Sequence, residues 1–320
     1  MKALRLHGPG DLRLHDEPPP EPAAGEALLR IAAVGLCGSD RHWFTEGAIG
    51  DAELTRPLVL GHEFVATIES GPRAGERVAV DPADACGRCV QCLEGLDHLC
   101  PIGRFAGHGV TDGALRSLIA WPERLTYPIP DFLPDDEASL LEPLGVALHA
   151  FDLGSVAPLR AAGVFGCGPI GLLLVQLLRL AGAEVYAADP LAHRLAAAEA
   201  LGASAEPREV DVSFEVAGTD DAVDAALAWT RPAGRVVLVG IPDGDRTSFS
   251  ASVARRKGLT LLLSRRMTQY DLPRAIGLVE AGSVSLGGLV TERHGLDGWE
   301  DAFAGLTARR GLKIVLEPNR

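Results

Sequence analysis

The sequence predicts a two-part α/β chain, a β-rich first part followed by a parallel-sheet part, and three observations carry that expectation. Short alternating runs, closely punctuated by Gly and Pro, fill residues 1 to about 130. A glycine-rich turn, Gly166-Cys167-Gly168-Pro169-Ile170-Gly171, stands between a short apolar strand and a long apolar helix. Beyond it strands and helices alternate, as they do where strand–helix–strand units build a parallel sheet.

In the first part, Met1 to Leu6, Glu26 to Ile31 and Arg77 to Val80 alternate as strands do. Around residue 139 the character changes, and Pro143 to Ala150 reads as an apolar helix. Ala161 to Phe165 is a buried strand, Leu172 to Leu180 the helix after the turn, and Glu184 to Ala188 a second strand ending in Asp189. Asp211 to Val216 and Arg235 to Val239 are further strands, with a helix from Asp221 to Thr230 between them, closed by Pro232 and Gly234. Thr260 to Leu263 reads as a last, uncovered strand, followed by a helix from about Pro273 to Ala281 and a closing strand, Leu312 to Leu316.

The chain has 320 residues, enough for two domains, and 47% are apolar, ample for a large core. The net charge of -13 argues against nucleic acid and anionic membranes as partners. No apolar run is long enough to span a bilayer; Leu172 to Val175 is soon broken by Gln176 and Arg179. The opening residues read as a strand and not as a signal peptide. A soluble, cytoplasmic protein is the expectation.

The glycine turn has the context a dinucleotide site needs: strand, turn, helix, and an acid at the end of the next strand. Gly166 makes the turn, Gly168 lets the backbone approach a pyrophosphate, and Gly171 allows close helix–strand packing. Pro169 and Ile170 open the helix whose N-terminus faces the phosphates. Asp189 is placed to accept from ribose hydroxyls and to repel a 2′-phosphate, favouring NAD over NADP. Arg194 either accommodates such a phosphate or is a solvated residue of the next helix.

Two clusters suggest metal. Of six cysteines, Cys86, Cys89, Cys92 and Cys100 fall in one window. Four thiolates complete a closed tetrahedral zinc site, which is structural. An iron–sulfur cluster takes the same ligands, but zinc is favoured, because Gly87, Arg88, Gln91 and Glu94 read as a polar surface lobe that metal would pin. The second set is Cys37, His62, Glu63 and Glu142, a thiol, an imidazole and two carboxylates, suited to a catalytic zinc with one open position.

Together these residues resemble the zinc-containing medium-chain dehydrogenases, and among them the sorbitol (polyol) dehydrogenase branch. The resemblance covers nearly the whole chain. It rests on Cys37-Gly38-Ser39-Asp40, on Pro57 to Glu63, on the four-cysteine lobe, on Leu141-Glu142-Pro143-Leu144, and on the tail from Leu289 to Val315. The alcohol dehydrogenase branch usually has Cys where this chain has Glu142, which points toward polyol or sugar substrates. The resemblance implies a GroES-like catalytic domain over 1–150, with its cysteine lobe at 86–100. A Rossmann NAD-binding domain follows over 151–285, and residues 286–320 return to the catalytic domain.

By that likeness Cys37 and His62 bind zinc, Glu63 is a ligand or close neighbour, and Glu142 binds directly or through water. Two zinc ions per chain, one catalytic and one structural, and NAD are the implied cofactors. Asp40 orients His62 from behind or is a turn residue. Zinc polarises the substrate alcohol, hydride passes to the nicotinamide, and Ser39 and His42, or Glu142 with water, carry the proton away. Trp43 and Phe105 match pocket-wall positions and also suit plain packing. Arg266, chosen over Arg265, matches a substrate-side arginine. The family assembles as homodimers or homotetramers, and Thr260 to Leu263 offers an edge for pairing. The alternatives are an aldose or threonine dehydrogenase on the same scaffold, or a non-catalytic nucleotide-binding sensor.

One departure stands out. Relatives place a third strand and a covering helix before the strand at Val212. Here only Ala203 to Val210 separate the helix end near Leu201-Gly202 from Asp211. A strand–helix–strand crossover needs at least about 10–12 residues of connection. The helix is therefore expected to be missing, the third strand vestigial or absent, and the adenine pocket more open than in relatives.

Overall fold

A computed structural model describes residues 1–320. Two compact units result, one of Met1–Glu142, Thr268–Glu280 and Ser285–Arg320, the other of Pro143–Met267 and Ala281–Val284. The first division falls inside the helix Leu141–Gly154, earlier than residue 150, and the helix Asp271–Glu280 groups with the first unit. No helix is long and apolar enough to cross a membrane.

The first unit is built on a sheet that runs, in order, Thr126–Pro128, Arg77–Val80, Glu63–Ile68, Glu26–Gly35, Lys313–Glu317 and Val290–Gly295, with Leu118–Pro122 also paired to Glu26–Gly35. Its register positions the site. Gly35 is paired with Glu63 on one side and with Val315 on the other. The C-terminal strand therefore lies beside the residues leading into Cys37. Alternation along Glu26–Gly35 buries Ala27, Leu29 and Ile31 in a core that also holds Trp43, Phe64, Trp121 and Phe303.

The cysteine lobe contains only a four-residue helix, Val90–Leu93, and a 3₁₀ turn, Asp97–Leu99. It is less polar than its sequence suggests: Val90 is 63% exposed and Leu93 75%. Elements this short cannot form a core under these side chains.

The second unit is a five-stranded parallel sheet in the order Glu184–Ala188, Ala161–Phe165, Val210–Glu215, Thr230–Leu238 and Thr260–Leu263. The helix Pro169–Leu180 buries Leu172, Leu173, Leu174, Leu177 and Leu178, and Asp220–Trp229 buries Val223, Ala226 and Leu227. The expected truncation is present. Only Ser204 pairs with the free side of Glu184–Ala188, through its amide to the Val185 carbonyl (2.9 Å) and its carbonyl to the Ala187 amide (2.9 Å). The chain then runs into Val210–Glu215 with no helix between. Thr260–Leu263 is the opposite edge, and Leu263 is 80% exposed.

Candidate active site and cofactor turn

Cys37, His62 and Glu63 each present one ligand atom, and these atoms lie within 4.8 Å of one another. Cys37 caps the helix Gly38–Glu46, and His62 and Glu63 lead into the strand Glu63–Ile68. Asp40, fully buried, joins the two segments: it accepts from the Cys37 amide at 2.9 Å and from the Gly61 amide at 3.2 Å. His62 Nδ1 is 3.8 Å from Asp40 Oδ1, too long for a hydrogen bond. Asp40 therefore positions the backbone on both sides of the cluster more directly than it orients the imidazole.

Ser39 Oγ lies 3.4 Å from His62 Nε2, and the Phe105 ring is tilted against His62 at 5.4 Å. His42 is buried, with Nδ1 2.8 Å from Glu46 Oε1 and Nε2 3.3 Å from the Arg41 guanidinium. Arginine only donates, so Nε2 accepts and the proton sits on Nδ1, facing Glu46. Trp43, 1% exposed, lies in the core with its indole edge-on to His108. Of the two aromatic residues, Phe105 flanks the cluster and Trp43 packs the core. Arg266 belongs to the second unit, half-buried and in left-handed backbone at φ 58°.

Glu142 is buried in the first turn of its helix. It is not among the three tightly clustered ligands but lies in their field. Burial pushes its pKa up to about 8; the field of His62 opposes this, and those of Glu63 and Cys37 add to it. Burial, reinforced by Glu63, pushes the Cys37 thiol up to about 12. Sequence reasoning passed over Lys313, which is 2% exposed, pairs with Glu63 and donates to the Leu36 carbonyl at 2.9 Å. Burial opposes its charge, but the fields of Glu63 and Cys37 outweigh that and hold its pKa above the ordinary value. Gly35 was passed over as well: a Cβ there would come within 2.4 Å of Glu63 Oε2 and 2.9 Å of Lys313 Cε.

This donor set fits zinc. It joins a soft thiolate, an imidazole and carboxylates in a dry site, and two carboxyl groups, Glu63 and Glu142, and the Cys37 thiol all act on one ammonium, that of Lys313. A divalent cation would stabilise the anionic forms that burial now disfavours. The lobe thiols also converge, with Cys89 Sγ 3.4 Å from Cys92 Sγ and 3.9 Å from Cys100 Sγ, and Cys86 Sγ 4.0 Å from Cys92 Sγ. Backbone amides of Arg88 and Cys89 draw Cys86 down to about 6, whereas burial and the Cys89 thiol push Cys92 up to about 12.

In the second unit the glycine turn behaves as its spacing implies. Gly166 has φ 105°, and a Cβ on Gly171 would lie 2.0 Å from the Gly166 carbonyl oxygen. Gly168 caps the helix Pro169–Leu180, with Ile170 in its first turn. A Cβ on Gly168 would stand 3.6 Å from Arg194 Nη1, so the arginine lies beside the turn. Asp189 is fixed at both oxygens, accepting from the Cys167 amide at 2.7 Å and the Leu191 amide at 2.8 Å. Glu215, also missed, is 1% exposed and accepts from the amides of Ala217 and Gly218, each at 2.7 Å, bracing the loop after its strand.

Residues 23–131 match the alcohol dehydrogenase GroES-like domain, and residues 204–281 match the zinc-binding dehydrogenase family. The chain is 31% identical to the sorbitol dehydrogenase of Bacillus subtilis, covering 100% of this chain and 98% of that one. It belongs to the zinc-containing medium-chain dehydrogenases, in their sorbitol dehydrogenase-like branch. The alignment with that relative runs over 347 positions, so the medium-chain relative has residues that this 320-residue chain lacks. Among solved structures, L-idonate 5-dehydrogenase from Escherichia coli is similar with a TM-score of 0.88 and 26% identity, covering 99% of this chain and 97% of that one. A short chain alcohol dehydrogenase of E. coli CFT073, complexed with NADH, gives 0.89 and 26%, with 99% of both chains covered.

Proposed function

We propose that this chain oxidises a secondary alcohol of a polyol or sugar and passes hydride to NAD⁺. The observation that carries this reading is the convergence of Cys37, His62 and Glu63 within 4.8 Å, with the carboxyl of Glu142 in their field. Cys37 and His62 are the residues to hold zinc, with Glu63 or Glu142 completing the set. Zinc, when bound, supplies Lewis acidity at the alcohol oxygen.

The other roles fall to the protein's own groups. Asp40 fixes the Cys37 and Gly61 backbone, and Lys313 holds Glu63. Ser39, 3.4 Å from His62, is placed to take the first proton; His42 then accepts at Nε2, giving up its bond from Arg41, and releases its Nδ1 proton to Glu46. Phe105 keeps water from one side of His62. The glycine turn and Asp189 bind the cofactor, and Arg266 is assigned to substrate hydroxyls or to an acidic group. A second copy of the chain pairing along Thr260–Leu263 gives a homodimer.

A screen of NAD⁺ reduction with sorbitol, xylitol, glucose and threonine tests the reading. Turnover with sorbitol or xylitol is expected. Turnover confined to glucose or threonine would reassign the substrate, and none at all on zinc-loaded protein would favour a sensor.

A further inference from the structure

We propose that this chain holds its dinucleotide by the pyrophosphate and the adenosine ribose while leaving the adenine base largely in solvent, so that it accepts dinucleotides with an altered purine. The proposal rests on the NAD reading and concerns the second unit alone.

A dinucleotide fold is two mononucleotide-binding halves, the first formed by three consecutive strands with their helices. Here that half is incomplete. Ala161–Phe165 and Glu184–Ala188 are present, but the third strand is reduced to the single bridge at Ser204, and its helix is absent. Losing the strand turns the order 3-2-1-4-5-6 of the complete fold into the 2-1-3-4-5 seen here.

What covers the bared edge sits at the start and middle of the strand, short of the end where the lost wall would stand. The Arg208 guanidinium stacks over Tyr186 at 5.6 Å, donates to its hydroxyl at 2.8 Å and stands 3.5 Å from Glu184. Glu184 pairs with Ala161, at the start of both strands, whereas the cofactor turn and Asp189 follow Phe165 and Ala188, at their ends. The link from Ala203 to Glu209 otherwise offers Ala, Ser, Glu and Pro, with no aromatic or branched aliphatic side chain to face a purine. The polar grips are intact: the turn, the helix N-terminus, Asp189 on its two amides, and Arg194 beside Gly168.

The test uses the purified, zinc-loaded protein. Dissociation constants for NADH and for its reduced hypoxanthine analogue are read by tryptophan quenching. Bound 1,N⁶-etheno-NAD⁺ is then titrated with acrylamide. Constants within about threefold are expected, and quenching of the bound ethenoadenine at more than about half the rate of the free dinucleotide, since a base that makes no buried hydrogen bonds is not discriminated. A loss of about thirtyfold or more for the hypoxanthine analogue, or an ethenoadenine shielded from acrylamide, would overturn the proposal. Asp189→Ala should weaken both dinucleotides by a similar factor. If NADH itself does not bind, the cofactor reading fails, and the proposal with it.

Discussion

Lys313 and Glu63, far apart in sequence, form a fully buried ion pair next to His62. The pair exists because Gly35 stands between their strands, paired with Glu63 and with Val315, and has no side chain to block them. It fixes a carboxylate next to His62 and ties the C-terminal segment to the Cys37, His62 and Glu63 cluster.

Removing one partner leaves the other charge buried and alone. Lys313→Met should cost about 3–5 kcal/mol in denaturant unfolding. Lys2→Met, which breaks an exposed pair with Asp16, should cost no more than about 1 kcal/mol. Equal effects would show that the buried pair has no special weight.

Gly35→Ala should act on the same pair, because the added Cβ would displace the Glu63 carboxylate. Reduced metal content together with a lower melting temperature is the expected outcome. A variant that keeps its full metal complement and melts with the wild type would mean that the strands shift aside at little cost.

On the proposed cofactor reading, Asp189→Ala should weaken NADH binding and narrow the preference over NADPH, since a carboxylate beside the ribose repels a 2′-phosphate. Arg194, beside Gly168, remains to attract that phosphate. Binding constants for both cofactors decide this. A wild-type protein that already prefers NADPH would overturn the reading of Asp189.

Arg5 donates to Glu17 at 2.5 and 3.0 Å and to Asp112 at 2.9 Å through two nitrogens. The Arg5 bond holds the Glu17 carboxyl below its ordinary range. At Asp112 burial works the other way, but bonds from Arg5 and the Val59 amide outweigh it. Depressed carboxyl pKa values mean stability that is present above the unfolded-state value, near 4, and lost as pH falls through the folded-state value. Arg5→Ala should therefore cost about 1–3 kcal/mol near neutral pH, with a gap to wild type that shrinks as pH falls below about 4. A gap constant from pH 7 to pH 3 would contradict this.

Much of the fold was legible because its signals are local. Periodicity and turn residues gave most of the second unit's strands and helices to within a few residues, and the glycine turn announced its own geometry; the helices Gly38–Glu46 and Trp299–Thr307 and the strand Glu63–Ile68 were not foreseen. The truncation was legible by length alone, since Ala203 to Val210 cannot hold a strand and a helix. Lys313 and Gly35 were not, because their roles depend on strands distant in sequence meeting in register. A hint was there: Lys313, one of three lysines, interrupts an apolar strand. Trp43 was ambiguous in sequence, because an aromatic near Cys37 reads the same whether it walls a pocket or fills the core; here it is buried in the core cluster.

The two proposed metal sites should separate by mutation. Cys89→Ser opens the closed lobe, whose elements are too short to stand alone, and should lower the melting temperature. Cys37→Ser removes a ligand from a site set in a large core and should leave the fold and NADH binding intact.

Zinc counted per chain in purified wild type and Cys37→Ser, with sorbitol oxidation measured on the same samples, tests the central claim most directly. Two zinc ions and turnover are expected in the wild type, and one zinc ion, no turnover and unchanged NADH binding in the variant. An unchanged zinc count, or a variant that still oxidises the polyol, would contradict the assignment of Cys37, His62 and Glu63 as the catalytic metal site.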